Sequence, residues 1–122
     1  VVKEKKIRDK FTIVTFDAEA IAIKQMEEGM IDAMVVQNPF AMGYESVRYA
    51  WAKFQGKDDT LKTMFPNKGQ PGGDVLDTGL KVVVPPNSPL KANMFESFGK
   101  SVEFLELPQF LDWLKKYNLT SS

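Results

Sequence analysis

Short apolar runs alternate along the chain with stretches in which apolar residues recur every three or four positions. The first pattern predicts strands and the second helices. Residues 1–8 read as the end of a helix. The β-branched and aromatic run 11–16 (Phe11-Thr12-Ile13-Val14-Thr15-Phe16) predicts a strand buried on both faces of a parallel sheet. Residues 18–28 follow as a helix with Ile23, Met26 and Met30 on one face and Gly29 as its left-handed stop. Residues 31–36 predict a second buried strand, which completes a βαβ unit with the first.

Asn38-Pro39 opens the next helix as an N-cap followed by proline at the first helical position. Phe40, Tyr44, Val47, Trp51 and Phe54 form one stripe on it, expected as core, and Gly56 ends it. Residues 57–73 are polar and rich in turn formers, with a short strand expected at 60–65. A strand at 80–84 is stopped by Pro85-Pro86. It should run antiparallel to 31–36, whereas 11–16 and 31–36 should be parallel neighbours. The tail after Pro86 reads as separate in character: a helical turn within 88–95, a small strand at 102–105 and a helix at 108–117. Phe110, Leu111, Leu114 and Tyr117 mark the apolar side of that last helix.

Composition narrows the chemistry. The 122 residues carry 16 basic and 16 acidic side chains, so no basic surplus exists to neutralise phosphates and nucleic acid is not an expected partner. Lys3, Lys5, Lys6 and Lys10 are interleaved with Glu4 and Asp9, as on a solvated face. Cysteine and histidine are both absent, which removes thiolate nucleophiles, Ser-His pairs and the usual zinc sites. No apolar run is long enough for a membrane span. The first residues lack the pattern of a signal peptide, so any export signal is expected outside this chain.

Two polar residues stand where α/β proteins place ligands, at the carboxyl ends of parallel strands. Asp17 ends the first strand and Gln37 the second. A carboxylate that accepts hydroxyls and an amide that both donates and accepts suit a polyhydroxylated ligand. From position alone Asp17 reads first as the cap of the helix at 18–28, and Gln37 can equally bond nearby backbone. Gly99-Lys100-Ser101 ends like a phosphate loop, but Met94 stands where that loop needs glycine, so a turn is expected there. Asp17 lacks the acidic partner and the lysine that a phosphoacceptor requires. Asn118-Leu119-Thr120 matches a glycosylation triplet by pattern alone. No acid–base or nucleophile constellation emerges, and a binding role is expected, not an enzyme.

The segment Val35-Val36-Gln37-Asn38-Pro39-Phe40-Ala41-Met42-Gly43-Tyr44 resembles ribose-type periplasmic sugar-binding proteins, relatives of the effector domains of lactose-repressor-type regulators. Ile13-Val14-Thr15-Phe16-Asp17-Ala18 and Asp77-Thr78-Gly79-Leu80-Lys81-Val82-Val83-Val84 resemble the same family, and Asp17 and Gln37 lie 20 residues apart, as in its members. The resemblance implies an α/β, three-layer, periplasmic-binding-protein-like sandwich, present as the carboxy-terminal fragment of a two-lobed fold. On this reading 1–37 is a βαβ part of the carboxy-terminal lobe, 38–77 belongs to the amino-terminal lobe, and 78–122 is the return strand and tail. Asp17 and Gln37 map onto ligand-contacting residues, and Asn38, Pro39, Asp77, Thr78 and Gly79 onto the crossings between lobes. Thr15, where many members carry glycine, and the turn-rich 66–74 depart from the family.

The resemblance further implies a monosaccharide or similar polyol as ligand, an ABC-type sugar importer whose membrane permease is the partner, a periplasmic location and no cofactor. The alternative it allows is the effector-sensing domain of a lactose-repressor-type transcriptional regulator. Because the amino-terminal lobe has no counterpart here, a swapped or self-associated dimer is a further expectation.

Overall fold

The computed structural model describes residues 4–122. The chain divides into two compact units: residues 1–37 with 79–122, and residues 38–78.

The first unit is built on a four-stranded sheet in the order β1 (Val14–Phe16), β2 (Ala33–Gln37), β3 (Leu80–Val84), β4 (Val102–Glu106). β1 and β2 are parallel, β2 and β3 antiparallel, and β3 and β4 parallel. The expected strand directions are therefore observed, and the unit is a mixed α/β fold. The small strand expected at 102–105 is β4, and its pairing with β3 makes the tail, read as separate in character, part of the sheet. Its Val102 and Phe104 alternate with the more polar Glu103, and the period of two aligns it along β3.

Side chains alternate between two faces. On one, Met34, Val36 and Val83 are buried against Ile23 and Met26 of α1 (Ala20–Glu27) and Phe110 and Leu114 of α4 (Leu107–Lys116). Each such buried side chain contributes about 1.5–3 kcal/mol by leaving water. The other face buries Ala33, Val82 and Val84 under Leu90 and Phe95 from the segment that leads to β4. Phe95 meets Phe104 with ring centroids 5.6 Å apart.

β1 departs from the expected doubly buried strand. It has three residues, lies at the sheet edge, and leaves Val14 and Phe16 51% and 73% exposed. The β-branched composition predicted a strand but carried no information on its place in the sheet order. Val1–Lys3, part of the helix end expected over 1–8, lie outside the described residues. Residues 4–6 form a turn, and Arg8–Lys10 a single 3-10 turn.

α1 ends as predicted, at left-handed Gly29 (φ 73°), with Gly29 N–H donating to Met26 O and Met30 N–H to Gln25 O. Met30 thus lies past the helix. α4 ends the same way with Asn118 (φ 55°): Asn118 N–H donates to Lys115 O and Leu119 N–H to Leu114 O. Tyr117, expected on the buried side, is 55% exposed because it sits at that last turn.

The second unit pairs α2 (Pro39–Phe54) with α3 (Asp58–Met64). Asn38 Oδ1 accepts the Ala41 N–H at 3.0 Å and Pro39 takes the first turn, as the sequence signals. The strand expected at 60–65 is instead α3. Asp58 and Asp59 in its first turn favour the positive helix end, and Leu61 with buried Met64 follow a helical spacing. Tyr49 of α2 meets Phe65 edge-on at 5.5 Å.

The largest correction concerns the α2 stripe. Phe40, Tyr44, Val47, Trp51 and Phe54 are all more than half exposed, Phe54 at 88%. Their spacing predicts one face correctly, yet within the second unit that face is left uncovered among the described residues.

Candidate functional site

β1 and β2 run in the same direction with Phe16 opposite Val35, so their carboxyl ends emerge side by side. Asp17 extends this ladder by one step: its N–H donates to Val35 O at 2.9 Å. Gln37 is the last residue of β2. Both are exposed, and among the described residues neither side chain has a hydrogen-bond or ion-pair partner.

The helix-cap role open to Asp17 is not taken. α1 begins at Ala20 with Glu19 in the cap position, and no side chain caps it. Asp17 instead adopts a left-handed backbone (φ 62°), which aspartate tolerates better than most residues. Its carboxylate is exposed and, among the described residues, unengaged.

The chain passes from the first unit to the second at Gln37-Asn38 and returns at Thr78-Gly79. Gln37 and Leu80 are partners in the β2–β3 ladder, so both crossings meet the sheet at the same edge as Asp17. Asn38 and Pro39 are committed to starting α2. Gly79 is left-handed (φ 76°), and a side chain there would bring its Cβ to 3.2 Å from Ser101 O. Asp77 is exposed and Thr78 half-buried.

At the opposite end of β1 and β2 lies an ion-pair clamp that no sequence motif announces. Arg8 reaches Asp32 Oδ1 at 2.7 Å and donates to Gly29 O and Phe11 O. Asp32 Oδ2 accepts the Ile13 N–H at 2.7 Å. Burial pushes the Asp32 carboxyl up, but the Arg8 hydrogen bond, the Ile13 N–H and the guanidinium charge outweigh it, and the group titrates below its usual range. This clamp fastens the strand starts, at the opposite ends of β1 and β2 from Asp17 and Gln37. No local pattern pairs residues 24 apart, so only the assembled βα unit reveals it.

Within the second unit an open groove of about 350 Å³ runs between α2 and the returning connection, lined by Glu45, Tyr49, Phe65, Asp74 and Thr78. Glu45 is already paired with Arg48 at 3.1 Å. Among the described residues no group of three or more acidic side chains could hold a metal ion, and no helix is long and apolar enough to cross a membrane.

Residues 1–58, a little under half of the chain, match the family model described as a periplasmic binding protein domain, and the mixed α/β sheet is consistent with part of such a fold. This is a family of binding proteins. No curated protein and no solved structure matches the chain.

Proposed function

We propose that the chain is part of the solute-binding component of an ABC-type sugar importer, with a monosaccharide or similar polyol as ligand and the importer's membrane permease as partner. The observation that carries this reading is the pair Asp17 and Gln37. Both are exposed and without a protein partner among the described residues, at the carboxyl ends of adjacent parallel strands. Asp17 accepts hydrogen bonds from two adjacent sugar hydroxyls, and Gln37 donates one and accepts another.

On the same reading Asn38 and Pro39 on one crossing, and Asp77, Thr78 and Gly79 on the other, form a hinge, and residues 38–77 belong to the amino-terminal lobe. The location is periplasmic, in keeping with the family. Calorimetric titration of a panel of pentoses, hexoses and polyols into the complete protein tests the proposal. Saturable binding of one of them, weakened by Asp17→Ala, is expected. Absence of binding across the panel, or binding indifferent to Asp17, overturns it.

A further inference from the structure

Asp17 is held in its left-handed conformation from both sides. On one side its own N–H is bound to Val35 O of β2. On the other, the next residue is tied to the carboxy-terminal tail: Ala18 N–H donates to Ser122 O at 2.7 Å, and Ser122 N–H returns to Ala18 O at 3.2 Å. Ala18 is fully buried. The tail itself is anchored at its start, where Asn118 turns the chain off α4 and Leu119 N–H closes onto Leu114 O. Leu114 and Phe110 share the core with Ala18.

A non-glycine residue at positive φ is uncommon, and even for aspartate the conformation is fixed by what holds the backbone on either side. Here β2 fixes the residue's amide and the tail fixes its successor. The direction of the Asp17 Cα–Cβ bond is then set by these two attachments. The β2 attachment belongs to the sheet, whereas the tail attachment reaches Asp17 from the far end of the sequence.

We propose that residues 119–122 are a latch that positions Asp17, and that releasing it weakens ligand binding. The second half of this statement rests on the sugar-binding reading above; the first does not. Ser122 is a positioning residue that acts through its backbone, so its side chain is dispensable.

Deletion of residues 119–122 is compared with Ser122→Ala in the complete protein. Three-bond couplings at Asp17 report its φ, amide exchange reports the Ala18 bond, and sugar titration reports affinity. The deletion is expected to release Asp17 from positive φ, to speed exchange at Ala18 and to lower affinity on the order of tenfold. Ser122→Ala should leave all three unchanged. Ser122→Pro removes one donor only and covers the case in which the deletion does not fold; it should act in the same directions more weakly.

Asp17 couplings and Ala18 exchange that survive the deletion overturn the latch, as does full affinity with Asp17 released. If the intact protein binds no sugar, the functional reading falls, and the couplings still decide whether the tail sets the conformation of Asp17.

Discussion

Gln37, the last residue of β2, is paired with Leu80, the first residue of β3. The chain therefore leaves and re-enters the sheet through adjacent strands, although the whole of residues 38–78 lies between the two crossings. The returning crossing depends on Gly79. Its left-handed φ and the Ser101 carbonyl 3.2 Å from any added Cβ both resist a side chain. Gly79→Ala should cost about 1–2 kcal/mol, measured by urea unfolding. Unchanged stability would mean that the return path is more adaptable than this geometry.

At the proposed ligand edge, Asp17→Ala should weaken sugar binding more than Gln37→Ala. A hydrogen bond to a charged group contributes about 1.5–3 kcal/mol, against about 0.5–1.5 for a neutral pair. The expected losses are roughly 10- to 150-fold and 2- to 12-fold in affinity. Asp17→Asn keeps a residue that tolerates positive φ, so its melting temperature should stay close to wild type while affinity falls. Full affinity in Asp17→Asn would remove Asp17 from the site.

The Thr15 hydroxyl is buried without a hydrogen-bond partner. Thr15→Val replaces it with a methyl of similar volume and removes an unsatisfied polar atom. The variant should be more stable by about 1 kcal/mol, read as a higher melting temperature. A loss of stability would point to an ordered water on that hydroxyl.

The Arg8–Asp32 clamp sets a pH dependence. The Asp32 pKa is lowered on folding from 3.8, so its contribution to stability is complete above that value and is lost as pH falls through the lower folded value. Asp32→Asn should cost on the order of 1 kcal/mol at pH 7, a modest figure because the pair is partly exposed. The difference from wild type should shrink in acid. A difference that persists at pH 2 would assign the effect to the hydrogen bonds alone.

The exposed α2 stripe should make the isolated chain self-associate, since so large an apolar face is costly to leave wet. Sedimentation at increasing concentration should show dimers or larger species, and Phe40→Glu with Phe54→Glu should return a monomer. A monodisperse wild-type monomer would contradict this.

Local signals announced most of the elements. Asn38-Pro39, Gly29 and Pro85-Pro86 punctuate the chain by fixed backbone chemistry, and the structure honours each. The apolar runs predicted β1, β2 and β3, and the two crossings implied by the family resemblance predicted that β3 returns antiparallel to β2. What stayed hidden depends on partners distant in sequence. Thr60 and Phe65 suggested a strand, whereas the Asp58-Asp59 start and the packing of Phe65 on Tyr49 make a helix. The exposure of Val14 and Phe16 follows from β1 being an edge, which no period reveals. Asp17 and Gln37 were visible as strand-end residues, but the left-handed turn at Asp17 and its tie to Ser122 through Ala18 were not, because that contact spans nearly the whole chain.

The placement of one unit inside the β2–β3 pair also bears on how the chain finds its fold. A tight hairpin closes in microseconds, whereas about forty residues must be looped out before β2 meets β3, and that closure entropy precedes any reward from pairing. The β1–α1–β2 segment and the β3–β4–α4 segment are each local in sequence, and so are the natural early structures. Their joining is the slow event. Until it happens, the β2 edge is open in addition to the α2 stripe, which the fold leaves exposed in any case, and that interval is when encounter with a second chain does most harm.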